Sequence, residues 1–197
     1  AGVSARVLDY SALWVHPDGS AQMLEHEILK IQSQEAINQE AEQKPPEGLV
    51  LHLRVIKPDG RMLEPEPVAG KPTLTMPNLE VGDYVEIEHV TTTEGDGDHG
   101  RRYRGPMWLF REEDKGYWRS EFVVITPKDK SIEIETRGTV PPPAIRQGTT
   151  TIERRWRVDE SPPLPSEPES VPAGEYLPSV RIGRGVTPAD TVARYTD

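Results

Sequence analysis

Apolar and polar residues alternate along most of this chain with a period of two rather than 3.6, which predicts strands more than helices. In the first segment Leu8, Tyr10, Ala12 and Trp14 share a face. His16-Pro17-Asp18-Gly19-Ser20 then supplies turn chemistry, with a preset proline and a glycine free to adopt positive φ. The return segment sets Leu24, His26 and Ile28 against Glu25 and Glu27, so a β-hairpin is predicted with the glutamates on its wet side. Residues 33–43 are the one stretch with helical character: Ser33 can cap it, glutamates and glutamines favour it, and Pro45-Pro46 end it. A turn or two is expected there.

Further strands follow. Leu49, Leu51, Leu53 and Val55 alternate with Val50, His52 and Arg54, and Lys57-Pro58-Asp59-Gly60-Arg61 turns the chain toward Met62 and Leu63. Prolines 65, 67 and 72 demote the next stretch to an edge or an irregular crossing. Beyond the corner at 79–83, Val85, Ile87 and His89 oppose Glu86 and Glu88. Residues 94–100 are too polar and glycine-rich to pack and read as a loop tip. Strands are predicted again near Trp108-Leu109-Phe110, over 117–125, around Ile132 to Thr136, and over 149–158, where Ile152, Trp156 and Val158 share a face. If the last two pair, Glu133 and Glu135 meet Arg155 and Arg157 across strands.

About eight strands with turns every 8–12 residues predict an all-β chain, an antiparallel β-sandwich with at most one short helix. The sandwich is assigned to residues 1–160. A proline-rich linker spans 161–175, and an extension over 176–197 holds one apolar island at 176–182.

Composition narrows the function. Of the 197 residues only 35% are hydrophobic and 28% are charged, so the core needs its apolar residues gathered on one side of each element. The net charge of −10 disfavours nucleic acid and anionic lipid, and no basic run exceeds Arg101-Arg102 or Arg154-Arg155. The chain has no cysteine, which removes disulfides, thiolate nucleophiles and cysteine metal clusters. No apolar stretch approaches the roughly 18–20 residues that span a bilayer, so membrane insertion is not expected.

Four pieces of sequence, in order, resemble a bacterial domain of unknown function found just before transglutaminase-like domains in exported proteins. They are Tyr10-Ser11-Ala12-Leu13-Trp14-Val15-His16-Pro17-Asp18-Gly19-Ser20, Val55-Ile56-Lys57-Pro58-Asp59-Gly60-Arg61, Leu79-Glu80-Val81-Gly82-Asp83-Tyr84-Val85-Glu86 and Ser120-Glu121-Phe122-Val123-Val124-Ile125-Thr126-Pro127. The resemblance implies a β-sandwich, an exported or periplasmic setting, and a papain-like transglutaminase-type domain as the adjoining partner. It carries no catalytic, cofactor or metal residue onto this chain.

The residues themselves support no catalytic site. His16, His26, His52, His89 and His99 include no His-x-x-x-His pair and no His-Glu-x-x-His, so they read as structural. Asp96 and Asp98 suggest half of a calcium loop but lack a bidentate glutamate at the right distance. Glu25/Glu27, Glu86/Glu88, Glu112/Glu113 and Glu133/Glu135 read as wet faces of strands rather than as acid–base pairs. No Gly-x-Ser-x-Gly elbow and no phosphate loop occurs. Trp14 and Trp156 read as core, whereas Trp108, Tyr117 and Trp118 are candidates for an exposed aromatic platform. The expectation is a non-catalytic accessory module, without cofactor or metal, that packs against a transglutaminase-like domain through the island at 176–182. The alternative is a module that binds a cell-envelope polysaccharide.

Overall fold

A computed structural model describes residues 4–67, 70–95, 103–112, 115–164 and 176–185. The all-β expectation holds. The strands are β1 (Ser4–Val15), β2 (Ala21–Ile31), β3 (Glu42–Gln43), β4 (Leu49–Ile56), β5 (Met62–Leu63), β6 (Leu74–Thr75), β7 (Tyr84–Thr93), β8 (Tyr103–Leu109), β9 (Lys115–Pro127), β10 (Glu133–Arg137), β11 (Ala144–Gln147), β12 (Thr151–Ser161) and β13 (Ser179–Arg184). Among the described residues one helix occurs, α1 (Gln34–Glu40), and Ser33 caps it by accepting the Ala36 amide at 3.1 Å.

Eight strands form one large sheet in the order β11-β12-β9-β1-β2-β7-β4-β5. The predicted hairpin is its middle: β1 and β2 run antiparallel across a turn in which Gly19 takes φ 87° and the His16 amide bonds the Ser20 carbonyl at 2.8 Å. The sheet departs from a purely antiparallel plan at β1 and β9, which pair in parallel from Ser4–Lys115 to Trp14–Ile125. A three-stranded sheet, β10-β13-β8, and a two-stranded ribbon, β3-β6, complete the set.

Strand β2 shows how these layers stack. Its alternate positions Ala21, Met23, Glu25, Glu27, Leu29 and Ile31 lie on one face. Ala21 and Met23 join a first core with Leu13, Val15, Phe122, Val124 and Trp156, closed by Tyr103, Val180 and Ile182 of the small sheet. Leu29 and Ile31 join a second core with Leu53, Val55 and Val85, closed by Ala36 of α1 and by Met76 just past the ribbon. Both lids therefore cover the same side of the large sheet, and Glu25 and Glu27 fall between two cores.

The structure changes four expectations. In β1 the buried set is Ser4, Ala5, Asp9, Ser11, Leu13 and Val15, and Trp14 is 47% exposed rather than core. The face carrying Tyr10, Ala12, Trp14, Leu24 and His26 is the open one. Strand β10 pairs with β13 and not with β12, so Glu133 and Glu135 do not meet Arg155 and Arg157. Strand β12 pairs instead with β9 and with β11, a strand not expected from the sequence. Finally, the apolar island at 176–182 is not a free docking patch: Leu177, Val180 and Ile182 are buried, the last two in the first core.

The quoted motifs act as fasteners. Lys57, from the second piece, is buried and donates to Asp83 of the third at 2.7 Å and to Glu80 at 3.0 Å. Asp83 also accepts the Glu80 amide at 2.7 Å, so two turns below the second core are stapled together. The hydrogen bonds to Asp83, its largest influence, hold the Lys57 ammonium above its ordinary pKa.

Candidate functional site

Between the two cores, on the covered side of the large sheet, lies a polar band. Strand β1 slips register against β2 between Arg6 and Leu8, a bulge that lets Arg6 and Asp9 lie together although they are three residues apart. Arg6 Nη1 donates to Asp9 Oδ1 at 3.3 Å and to Glu27, and Nε donates to Glu112 Oε2 at 3.1 Å. The Tyr117 hydroxyl donates to the same Glu112 oxygen at 3.2 Å, and the Arg6 guanidinium lies 5.5 Å from the Tyr117 ring centroid. On the other side Trp108 Nε1 donates to Ser120 Oγ at 3.1 Å, and Ser120 donates to Asp9 Oδ2 at 2.7 Å. One unbroken chain of donors and acceptors thus runs from Trp108 to Tyr117.

Burial sets the electrostatics. Asp9 is 7% exposed, and desolvation raises its pKa despite Arg6 and Ser120, which pull the other way. Desolvation raises Glu27 in the same manner, against Arg6. Burial alone would lower the Arg6 pKa, but the carboxylates, Glu27 first, outweigh it and hold the guanidinium charged. The Tyr117 hydroxyl is pushed up by burial. A cavity of about 340 Å³ opens onto this band, lined by Arg6, Asp9, Glu25, Glu27, His89 and Trp108 among others.

In this network the acceptor of the Ser120 hydroxyl is Asp9 and not a histidine. A serine bonded directly to a carboxylate lacks the imidazole that would take its proton and turn to the leaving group. Of the three histidines placed in the sheet, His26 and His89 line the same cavity, and all three meet groups other than Ser120. His89 Nδ1 bonds the Glu47 carbonyl at 3.0 Å, His26 Nε2 meets Glu86 at 2.9 Å, and His52 lies 3.6 Å from Glu88. Among the described residues no group of three or more His, Asp or Glu side chains could hold a metal ion. Asp96, Asp98, His99 and Glu113 lie outside the described residues.

The carboxylate pairs divide. Glu133 and Glu135 are exposed as expected. Glu25 and Glu27 are half-buried and line the cavity, and Glu86 is buried on the other side of the sheet. Desolvation would raise Glu86, but bonds from Arg54 and His26 outweigh it and lower its pKa. The aromatic candidates also separate. Trp156 is core, as expected, and Trp108 stacks on Phe122 at 5.4 Å, against the first core. Tyr117 is buried, and Trp118 is 51% exposed. Sequence reasoning missed Arg6, Asp9 and Ser120, and no spacing could have found them. In a regular strand residues 6 and 9 face opposite ways, and only the bulge joins them.

The open side of the sheet carries its own pattern. Ala12, Leu24, Val90 and Leu49 are register partners in successive strands and form an apolar row, with Trp14 beside it. Polar partners flank that row, including the Arg155–Glu121 ion pair at 2.8 Å and the His26–Glu86 hydrogen bond. Among the described residues no helix is long and apolar enough to cross a membrane.

No protein-family model matches this chain, and no curated protein is similar to it. Among solved structures it is similar to a protein from Parabacteroides distasonis described as a putative protease, with a TM-score of 0.75 at 14% identity. The likeness covers 98% of this chain and 43% of that protein, so the chain spans less than half its length. At that identity the likeness is one of fold.

Proposed function

We propose that this chain is a non-catalytic β-sandwich module that packs against and positions a papain-like, transglutaminase-type domain of the same polypeptide, in an exported protein. The observation that carries the reading is that the whole fold recurs as 43% of a longer protein described as a putative protease. The ordered resemblance of four sequence pieces points the same way. The occupied state of the polar band, with its acids tied to Arg6 and its serine tied to Asp9, is consistent with chemistry residing elsewhere.

The docking surface in this proposal is the open face of the large sheet, not the segment 176–182. Both lids lie on the opposite side, and the row Ala12–Leu24–Val90–Leu49 with Trp14 offers apolar contact with a polar rim. Contacts between domains of one chain typically bury roughly 600–1,500 Å². Hydrogen exchange on the polypeptide extended past Asp197, compared with the 197-residue chain, tests the reading. Added protection in β1, β2 and β7 is expected, lost on Trp14→Glu. Equal exchange in both proteins overturns it.

A further inference from the structure

Resting on the docking reading, we propose that the adjoining domain's contact with the open face takes up one proton, bound by His26 between Glu86 and Glu88. Docking then tightens as the pH falls through the range in which histidine gains charge.

Position is the first reason. Glu88 is the register partner of His26 on one side and of His52 on the other. Each lies two residues along its strand from the apolar row or beside it: His26 from Leu24, and Glu88 from Val90, which faces Leu49. A domain seated on that row therefore covers this polar group as well. His26, whose strand also borders the cavity of the polar band, turns its ring toward Glu86 and Glu88 on the open face.

Charge is the second. Glu86 is supplied with a cation, because Arg54 Nε donates to one of its oxygens while His26 Nε2 meets the other at 2.9 Å. A carboxylate only accepts, so neutral His26 carries its hydrogen on Nε2 and turns the lone pair of Nδ1 toward Glu88. That nitrogen lies 3.9 Å from Glu88 Oε1, and His52 Nε2 lies 3.6 Å from Oε2. Among the described residues these imidazoles, and no lysine or arginine, are the ion-pair partners of Glu88. With His26 neutral, two carboxylates face one guanidinium, and docking would bury an uncompensated negative charge at high cost. A proton on Nδ1 makes His26 a donor to both acids and balances the group, so the docked state favours its uptake.

The surrounding charges are committed to other partners. Tyr10 on β1 is the register partner of His26, and beyond it on β9 Glu121 is taken by Arg155. Lys30, further along β2, lies 5.7 Å from the Tyr84 ring and 5.6 Å from that of Trp118. His16, a third imidazole near this face, stacks on Trp14 at 5.2 Å and has Asp18 as its charged neighbour.

Hydrogen exchange of the polypeptide extended past Asp197, set against the 197-residue chain at the same pH, reads the docking constant from β2 and β7. Uptake of one proton makes that constant rise by up to about tenfold per unit as the pH falls from 8 to 6. Glu88→Gln removes the charge that needs compensating, so docking at pH 8 should strengthen about fivefold or more and lose its pH dependence. His26→Gln should give an equally flat curve at the strength the parent shows at pH 8, and His52→Gln should keep the slope. Equal docking at pH 6 and 8, or an unaltered slope in Glu88→Gln, overturns the proposal and leaves the docking face standing. Weaker docking of Glu88→Gln at every pH also overturns it, because the neighbour would then supply its own cation to Glu88. Equal exchange in the extended and 197-residue proteins at both pH values overturns the docking reading and the proton uptake together.

Discussion

Arg6 serves three carboxylates, and two of them, Asp9 and Glu27, bear a cost of burial that the ion pairs do not fully offset. Burial raises the Asp9 pKa above its ordinary 3.8, so the folded chain binds that proton more tightly than the unfolded chain does. The stability Asp9 contributes is therefore fully present below the unfolded value and is lost as pH rises through the folded one. Glu86 has the opposite sign: its lowered pKa contributes stability above about 4.5 that is lost on acidification. Asp9→Asn removes the titration and keeps one acceptor oxygen, which can face Arg6 while the amide nitrogen donates to the Ser120 hydroxyl. At pH 7 the variant should unfold in urea within about 1 kcal/mol of the parent. On lowering the pH to 4 the balance should move in favour of the parent, because only the parent can take up the proton. Parallel pH curves for the two proteins would show that Asp9 is not desolvated as described.

Strand β13 is the element whose sequence is most misleading. Residues 176–182 follow a run of proline, serine and glutamate, and composition alone makes them look like an island beyond the sandwich. Their partners are remote in sequence: β13 lies between β10 and β8, more than forty and seventy residues earlier. Such pairing leaves no local trace, which is also why β10 looked like a neighbour of β12. Helix α1 is the contrary case, because its cap, its composition and its stop are all local, and Ser33 does what its position suggests. If β13 is part of the fold, Ile182→Ala removes a fully buried side chain from the first core and should cost about 2–5 kcal/mol in reversible denaturation. A change under about 0.5 kcal/mol would mean that the segment hangs outside the cooperative unit.

At the scale of the molecule the unsettled quantity in the sequence was sidedness. Alternation in β1 places apolar residues on both faces, Leu13 and Val15 on one, Ala12 and Trp14 on the other, so a period of two defines the strand without saying which side is covered. The large aromatic suggested the wrong side. The covered side is instead chosen by the two lids, and the polar band between them puts Asp9, Glu25 and Glu27 where an alternating pattern predicts apolar residues. The candidate site was unreadable for the same reason, since it exists only where two cores on one sheet leave a gap. Neighbouring residues consequently have opposite fates. Leu13 is 2% exposed in the first core, and Leu13→Ala should cost about 2–5 kcal/mol. Trp14, one residue on, faces water in the isolated chain, so Trp14→Ser should change unfolding by less than about 1 kcal/mol despite the larger side chain lost. Equal losses at the two positions, measured by urea unfolding of the same 197-residue chain, would place a third layer over the open face. The sheet would then be covered on both sides, and the surface proposed for docking would already be occupied.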